Sequence, residues 1–102
     1  MRNPILTYVG EMEPPRGIGS TIFHILERNL GKKALVIIDK EFGFEGIIAA
    51  VSREPPGIWL SNAEAVVLRT TLANPLPQIA SREKRSELFI HLNSVQRIEI
   101  RT

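Results

Sequence analysis

Residues 34–51 read ALVIIDKEFGFEGIIAAV and contain two apolar, β-branched runs separated by a short polar turn. Two such runs on either side of a few turn residues are typical of a β-hairpin, so we predict strands over 34–38 and 42–51. Gly43 and Gly46 lie inside the second run. Because a glycine within a strand often marks a bend or a close approach of another backbone, we expect the hairpin to belong to a small, bent sheet.

The residues before this hairpin have the periodicity of a helix. Apolar residues recur there at spacings of three and four, which predicts a helix over 18–30 with one apolar stripe. The stripe consists of Ile18, Ile22, Ile25, Leu26 and Leu30, with Phe23 beside it. Ser20 is expected to cap the N-terminus of the helix, and Gly31 is expected to end it in a left-handed conformation.

Further strand patterns follow the hairpin. The predicted elements are a strand from Ile58 to Leu68 with a break at Ser61-Asn62, a long connection over 70–85, and strands over 88–92 and 95–100 joined by a tight turn at Asn93-Ser94. The last strand alternates apolar and polar residues, which indicates that one of its faces is buried.

One helix followed by five short antiparallel strands predicts a mostly β fold, a strongly bent small barrel. Residues 18–102 are expected to form this domain, and residues 1–17, which contain Pro14-Pro15, are expected to form an N-terminal arm. Five strands barely close a barrel, so the edge strands keep unpaired backbone groups. Pairing between copies satisfies these groups, and a head-to-tail contact of this kind can close into a ring.

The composition excludes several classes of protein. A chain of 102 residues with 43% hydrophobic residues fits one globular domain, and a formal net charge of +2 makes its overall field weak. The absence of cysteine excludes disulfides and thiolate metal sites. There is no apolar run of membrane-spanning length and no signal-peptide pattern, so we expect a cytoplasmic protein without membrane contact.

Four segments resemble the Sm-like (LSm) family in their order and spacing. Leu30–Lys33 resembles the end of the family's helix before its first strand, and Phe44–Ile48 resembles the aromatic-x-Gly-x-Leu pattern of its second strand. Leu60–Ala63 resembles the end of the first Sm motif, and Ile90–Ile98 resembles the second motif. The resemblance implies a helix followed by a five-stranded barrel, a ring of copies, and binding of single-stranded RNA.

Two segments depart from the family's pattern where its members bind RNA. Residues 52–57, SREPPG, replace the family's base-reading Asp-x-x-Met-Asn stretch and contain no Asn. In the second motif, His91 stands in place of the family's Arg and Leu92 in place of its Gly, whereas Asn93 still matches. The departures weaken the expectation of a uridine pocket and leave the expectation of the fold intact.

The residues selected as candidates for binding RNA are Arg53, His91, Asn93, Trp59, Lys32 and Lys33. We interpret His91 as a residue that stacks on a base or donates to a phosphate; the alternative is a half-buried strand histidine held by a backbone partner. Trp59 is an aromatic platform in one interpretation, and part of the barrel core or of a subunit interface in the other. A ring would repeat Lys32 and Lys33 as a basic belt, whereas on a monomer they are a solvated surface.

No catalytic constellation can be assigned from the sequence. The two histidines lie far apart without metal-ligand spacing, and there is no nucleophile motif. We therefore expect neither an enzyme nor a bound metal or cofactor. The leading hypothesis is a homo-oligomeric ring that binds single-stranded RNA as a chaperone or scaffold. The alternatives are an RNA-independent ring that binds proteins or serves as a structural module, and a monomeric SH3-like barrel.

Overall fold

The computed structural model describes residues 19–101. The elements are helix α1 (Ser20–Arg28) and strands β1 (Lys33–Asp39), β2 (Phe42–Arg53), β3 (Pro56–Arg69), β4 (Gln78–His91) and β5 (Arg97–Ile100), with a 3-10 turn at Leu92–Ser94. All neighbouring strands pair antiparallel in one sheet of order β4-β3-β2-β1-β5. The predicted fold class, a helix followed by a five-stranded bent antiparallel sheet, is confirmed. The predicted arm over 1–17 lies outside the described residues.

Strands β1 and β2 form the hairpin predicted from residues 34–51. The backbone N–H of Glu41 donates to Oδ1 of Asp39 at 2.8 Å, which stabilises the turn between the two strands. A Cβ atom on Gly43 would lie only 2.6 Å from the carbonyl oxygen of Val36 in the paired strand. A side chain at this position would therefore push β1 and β2 apart, as expected for a glycine at a close backbone approach.

Strands β3 and β4 are irregular at two residues with left-handed backbone. Asn62 has a φ of 49° and Ser86 a φ of 64°, and the pairing register of β3 and β4 shifts beside them. The third strand is therefore continuous, with a bulge where a break was predicted. The connection predicted over 70–85 is wrong in its second half, because β4 begins at Gln78. The charged residues there are exposed, so they lack the apolar alternation that reveals a strand.

The barrel core lies between the inner face of the sheet and α1. Its buried side chains are Phe23, Leu26, Ala34, Val36, Ile48, Ile58, Leu60, Ala63, Ile90 and Leu92. Helix α1 contributes Phe23 and Leu26 to this core, whereas Ile22, Ile25 and Leu30 are exposed. Of the predicted apolar stripe, Leu26 is therefore the member that is buried in a single chain, and Ile18 lies outside the described residues. Only a narrow line of the helix contacts the sheet in a single chain, and the rest of the stripe faces outward.

The ends of α1 differ from the prediction in one respect. Gly19, and not Ser20, occupies the N-cap position, and its carbonyl oxygen accepts a 3.2 Å hydrogen bond from the backbone N–H of Ile22. The helix ends at Arg28, and Gly31 adopts a φ of 86° in the turn that follows, as predicted for a glycine that stops a helix. Within residues 19–101, no helix has the length and apolar character needed to cross a membrane.

A buried carboxylate joins the middle of the sheet to both of its edges. Glu45 in β2 is 5% exposed and accepts hydrogen bonds from Arg82 of β4 and from Arg101, which follows β5. Arg82 also pairs with Glu64 of β3 at 2.7 Å. Burial raises the pKa of Glu45, but the hydrogen bonds and charges of the two arginines outweigh it and hold this pKa below its ordinary value. The arginines therefore keep Glu45 ionised within the sheet.

Candidate nucleic-acid interface

Three aromatic side chains form a row on the outer face of the sheet, the face opposite the barrel core. Trp59 of β3 pairs with Phe89 of β4, and their ring centroids are 5.2 Å apart. Phe89 contacts His91 edge to face, with 5.1 Å between ring centroids. Trp59 is 45% exposed and His91 is also exposed, so two accessible rings flank the half-buried Phe89. We refer to Trp59, Phe89 and His91 as the aromatic row.

Strand alternation places the aromatic row on the outer face. Ile58, Leu60 and Ile90, which alternate with its members along β3 and β4, are buried in the core. Because successive side chains of a strand face opposite sides, the row faces outward. A Cβ atom on Gly57 would collide with the ring of Phe89. This glycine therefore makes room for the central ring of the row.

The structure excludes one alternative for each of two candidate residues. Trp59 is exposed, so its proposed position in the barrel core is wrong, whereas a position in a subunit interface stays a prediction. His91 is exposed and its ring contacts Phe89, so the interpretation as a half-buried strand histidine is also wrong. The exposure of both side chains follows from strand alternation, because their neighbours along the strand occupy the core.

Asn93 lies in the 3-10 turn that follows β4. The hydroxyl of Ser94 donates to the carbonyl oxygen of His91 at 3.0 Å, which stabilises this turn. Asn93 is exposed two residues after His91. The structure therefore brings Trp59, His91 and Asn93 together at one end of β3 and β4.

Arg53 at the end of β2 is engaged with helix α1. Its Nη2 atom donates to Oε1 of Glu27 at 3.1 Å, and its guanidinium carbon lies 4.9 Å from the centre of the Phe23 ring. This combination of an ion pair and a cation–π contact holds the helix against the end of the β2–β3 hairpin. The side chain of Arg53 thus lies on the helix side of the sheet, opposite the aromatic row, and its role as an RNA ligand stays a prediction.

Lys32 and Lys33 lie where the turn after α1 enters β1, and both are exposed. The carbonyl oxygen of Lys32 accepts a 3.0 Å hydrogen bond from the backbone N–H of Ile48. Lys33 of β1 pairs with Ile47 of β2, which places it two strands away from β3 and three strands away from β4. The two lysines are therefore separate from the end of the barrel that carries His91 and Asn93.

Phe89 is the member of the aromatic row that sequence reasoning missed. The alternation Phe89-Ile90-His91 contains part of the signal, because it places the two aromatic residues on the same face of one strand. The missing information is the pairing register, which sets Phe89 opposite Trp59. Such a register depends on the bulge at Asn62 and is not visible in a single sequence.

No protein-family model matches the chain, and no curated protein sequence matches it. Solved structures do match. The Pyrococcus abyssii Sm protein in complex with a uridine heptamer is 20% identical, with a TM-score of 0.55 over 87% of this chain and 100% of that chain. A heptameric archaeal Sm protein is 19% identical, with a TM-score of 0.56 over 78% of this chain and 98% of that chain. The SmAP1 heptamer of P. aerophilum is 19% identical, with a TM-score of 0.58 over 83% of this chain and 99% of that chain. The chain has the Sm fold.

Within this Sm fold, the two departures from the family's pattern lie close together. Residues 52–57 form the tip of the β2–β3 hairpin, in which only Glu54-Pro55 lies between the strands and the hydroxyl of Ser52 donates to the carbonyl oxygen of Pro55 at 2.6 Å. Gly57, near the start of β3, pairs with His91 at the end of β4. The tip of the β2–β3 hairpin therefore lies beside His91 at the end of β4. No group of three or more His, Asp or Glu residues within 19–101 is arranged to hold a metal ion.

An apolar groove of about 380 Å³ runs between α1 and β5 of the Sm fold. Its apolar lining consists of Ile22, Ile25, Leu26, Leu92, Val95, Ile98 and Ile100. Ile22 and Ile25 are 45% and 43% exposed, which is high for such large hydrophobic side chains. The groove adjoins a free edge of the sheet, because within residues 19–101 β5 pairs with β1 alone and β4 pairs with β3 alone.

Proposed function

We propose that the protein forms a homo-oligomeric ring that binds single-stranded RNA as a chaperone or assembly scaffold. The observation that carries this proposal is the open sheet, in which β4 and β5 are edges within the described residues. Strand edges with unpaired backbone groups pair readily with another chain. If β4 of one copy pairs with β5 of the next, every copy uses both edges and the contact can close into a ring. Two proteins that share the fold are heptamers.

The apolar groove beside β5 supports such an assembly. A strand added to β5 would lie over the groove and remove Ile22 and Ile25 from water. Complete burial of one side chain of this size contributes about 1.5–3 kcal/mol. A small domain buries a limited share of its surface on its own, so this additional burial is a substantial gain in stability.

The aromatic row and Asn93 support RNA as the ligand. The Sm protein solved with a uridine heptamer has the same fold. Exposed aromatic rings such as those of Trp59 and His91 stack on unpaired bases. A ring repeats each site around its axis, so that many weak contacts bind one RNA strand with high avidity. Lys32 and Lys33, repeated in the same way, would contact phosphates.

Fluorescence anisotropy with short labelled oligo(U) and oligo(A) tests the RNA function. We expect binding that weakens as the salt concentration rises, because phosphate contacts release counterions. The control is a double-stranded RNA of the same length, whose bases are paired and not accessible for stacking. If neither single strand binds at low salt, the protein is not an RNA-binding ring.

A second candidate function is an RNA-independent ring that binds proteins or serves as a structural module. Two observations favour it: Arg53 is engaged with α1, and the connection between β3 and β4 exposes Leu72 and Leu76. Substitution of Trp59 and His91 distinguishes the two functions. Loss of RNA binding in an intact ring supports the first function, and disturbed assembly or partner capture supports the second.

A further inference from the structure

The aromatic row offers two accessible rings at a fixed separation. Two successive centroid distances of about 5 Å place the rings of Trp59 and His91 within about 10 Å of each other. Phe89 lies between the two rings and contacts both of them. Because Phe89 is half-buried, Trp59 and His91 provide most of the exposed aromatic surface. This arrangement can hold more than one base of a single strand at the same time.

The strand beside the aromatic row presents small side chains. Ala50 pairs with Trp59, and Ser52 pairs with Gly57 in the next row of the sheet. The hydroxyl of Ser52 already donates to the carbonyl oxygen of Pro55. These small neighbours leave the ring faces accessible, and none of them carries an amide, carboxylate or guanidinium group that could read the edge of a base.

Two lysines face the same side of the sheet as the aromatic row. Lys33 follows the alternation of outer-face residues in its strand, and Lys84 pairs with an outer-face residue of β3. Neither lysine forms an ion pair with another residue of 19–101. The carboxylates of Glu45 and Glu64 on this face are paired with arginine. From the spacing of strands and residues, the backbone of Lys33 lies about 12 Å from that of Trp59. A long lysine side chain can bridge much of this distance to reach the phosphate of a stacked nucleotide.

We infer that the aromatic row is a stacking platform for single-stranded RNA of any base sequence, with Lys33 and Lys84 binding its phosphates. This inference rests on the RNA-binding ring proposed above and adds both a surface and a class of RNA. Every base has a π face, so stacking on Trp59 and His91 tolerates all sequences. The surface is the outer face of β3 and β4, and His91 at the end of β4 is part of it.

The fluorescence of Trp59 reports on the row directly, since this is the chain's only tryptophan. We expect oligo(U) and oligo(A) both to quench it, with midpoints equal to those from anisotropy and affinities within about threefold of each other. Binding without quenching, or a strong preference for one base, overturns the stacking platform and leaves the RNA-binding ring standing. Absence of any binding overturns the proposed function and the platform together.

Two substitutions test the platform independently. Trp59→Leu is expected to weaken binding of both RNAs about tenfold. Leu72→Ala, at an exposed position in the β3–β4 connection, is the control that leaves binding unchanged. Glu87 lies two residues before Phe89 and faces the same side, so Glu87→Gln should strengthen binding of a polyanion at low salt. If neither Trp59→Leu nor Glu87→Gln changes the affinity, the row is not an RNA surface and a protein partner becomes its better explanation.

Discussion

Nε of Arg101 donates a 3.1 Å hydrogen bond to Oε2 of Glu45, although the two residues lie 56 positions apart in the chain. Glu45 belongs to β2 in the middle of the sheet, and Arg101 directly follows the edge strand β5. The other carboxylate oxygen of Glu45 accepts a hydrogen bond from Arg82 in β4, the opposite edge strand. A single buried carboxylate therefore positions both edges that we propose to join neighbouring copies.

Replacement of Glu45 by Gln is expected to lower the free energy of unfolding by about 2 kcal/mol. The amide keeps the volume of the side chain but loses the charge that both arginines contact. Urea denaturation measures the change. Glu83→Gln is the control, because Glu83 pairs with Arg85 in solvent, and its effect should stay below about 0.5 kcal/mol. Equal effects of the two substitutions would contradict a special role for Glu45.

The stability that Glu45 contributes is expected to depend on pH. The pKa of Glu45 in the folded chain lies below its ordinary value of 4.5. Its contribution is therefore fully present above pH 4.5 and is lost as the pH falls through the folded-state pKa. We expect the difference in unfolding free energy between the wild type and Glu45→Gln to shrink on acidification. A difference that stays constant throughout the acidic range would show that Glu45 does not titrate in this way.

Arg53→Ala is expected to lower the free energy of unfolding by about 0.5–1 kcal/mol. The substitution removes both the contact with the Phe23 ring and the ion pair with Glu27. A double-mutant cycle with Glu27→Ala, measured by urea denaturation, should give a combined loss smaller than the sum of the two single losses. Strict additivity would mean that the ion pair between Arg53 and Glu27 contributes nothing in solution.

Ile25→Glu is expected to break the ring and leave the single domain folded. Ile25 is 43% exposed in one chain and lines the apolar groove, so a carboxylate there is hydrated in a monomer and buried in an assembly. Sedimentation velocity should show the loss of the assembled species, and circular dichroism should show an unchanged fold. Leu72→Glu is the control, because Leu72 lies in the exposed connection between β3 and β4, and we expect this variant to keep the ring. A ring that persists in Ile25→Glu would place the interface outside the groove.

The parts of the fold that the sequence predicts are those encoded locally. The hairpin over 34–51 combines two β-branched runs with a short polar turn, and both strands and the turn are confirmed. The first half of β4 escapes prediction because residues 78–87 are mostly exposed and polar, and their pairing with β3 is set by distant residues. The helix is predicted, but its buried face is not, because the period alone does not say which residues contact the sheet.

The candidate site shows the same division between local and distant information. His91 and Asn93 are two positions apart in sequence, and their exposure at and just after the end of β4 follows from one short segment. The contact between Trp59 and Phe89 depends on a strand register, and the engagement of Arg53 with Glu27 depends on where the helix lies. Both are tertiary relationships between residues that are far apart in the chain.

The mass of the protein in solution, measured by native mass spectrometry over a range of micromolar concentrations, tests the ring most directly. We predict a single closed assembly of several identical chains whose mass does not change with concentration. A mass of 11.4 kDa, that of one chain, at every concentration would contradict the ring and the multivalent RNA binding that depends on it.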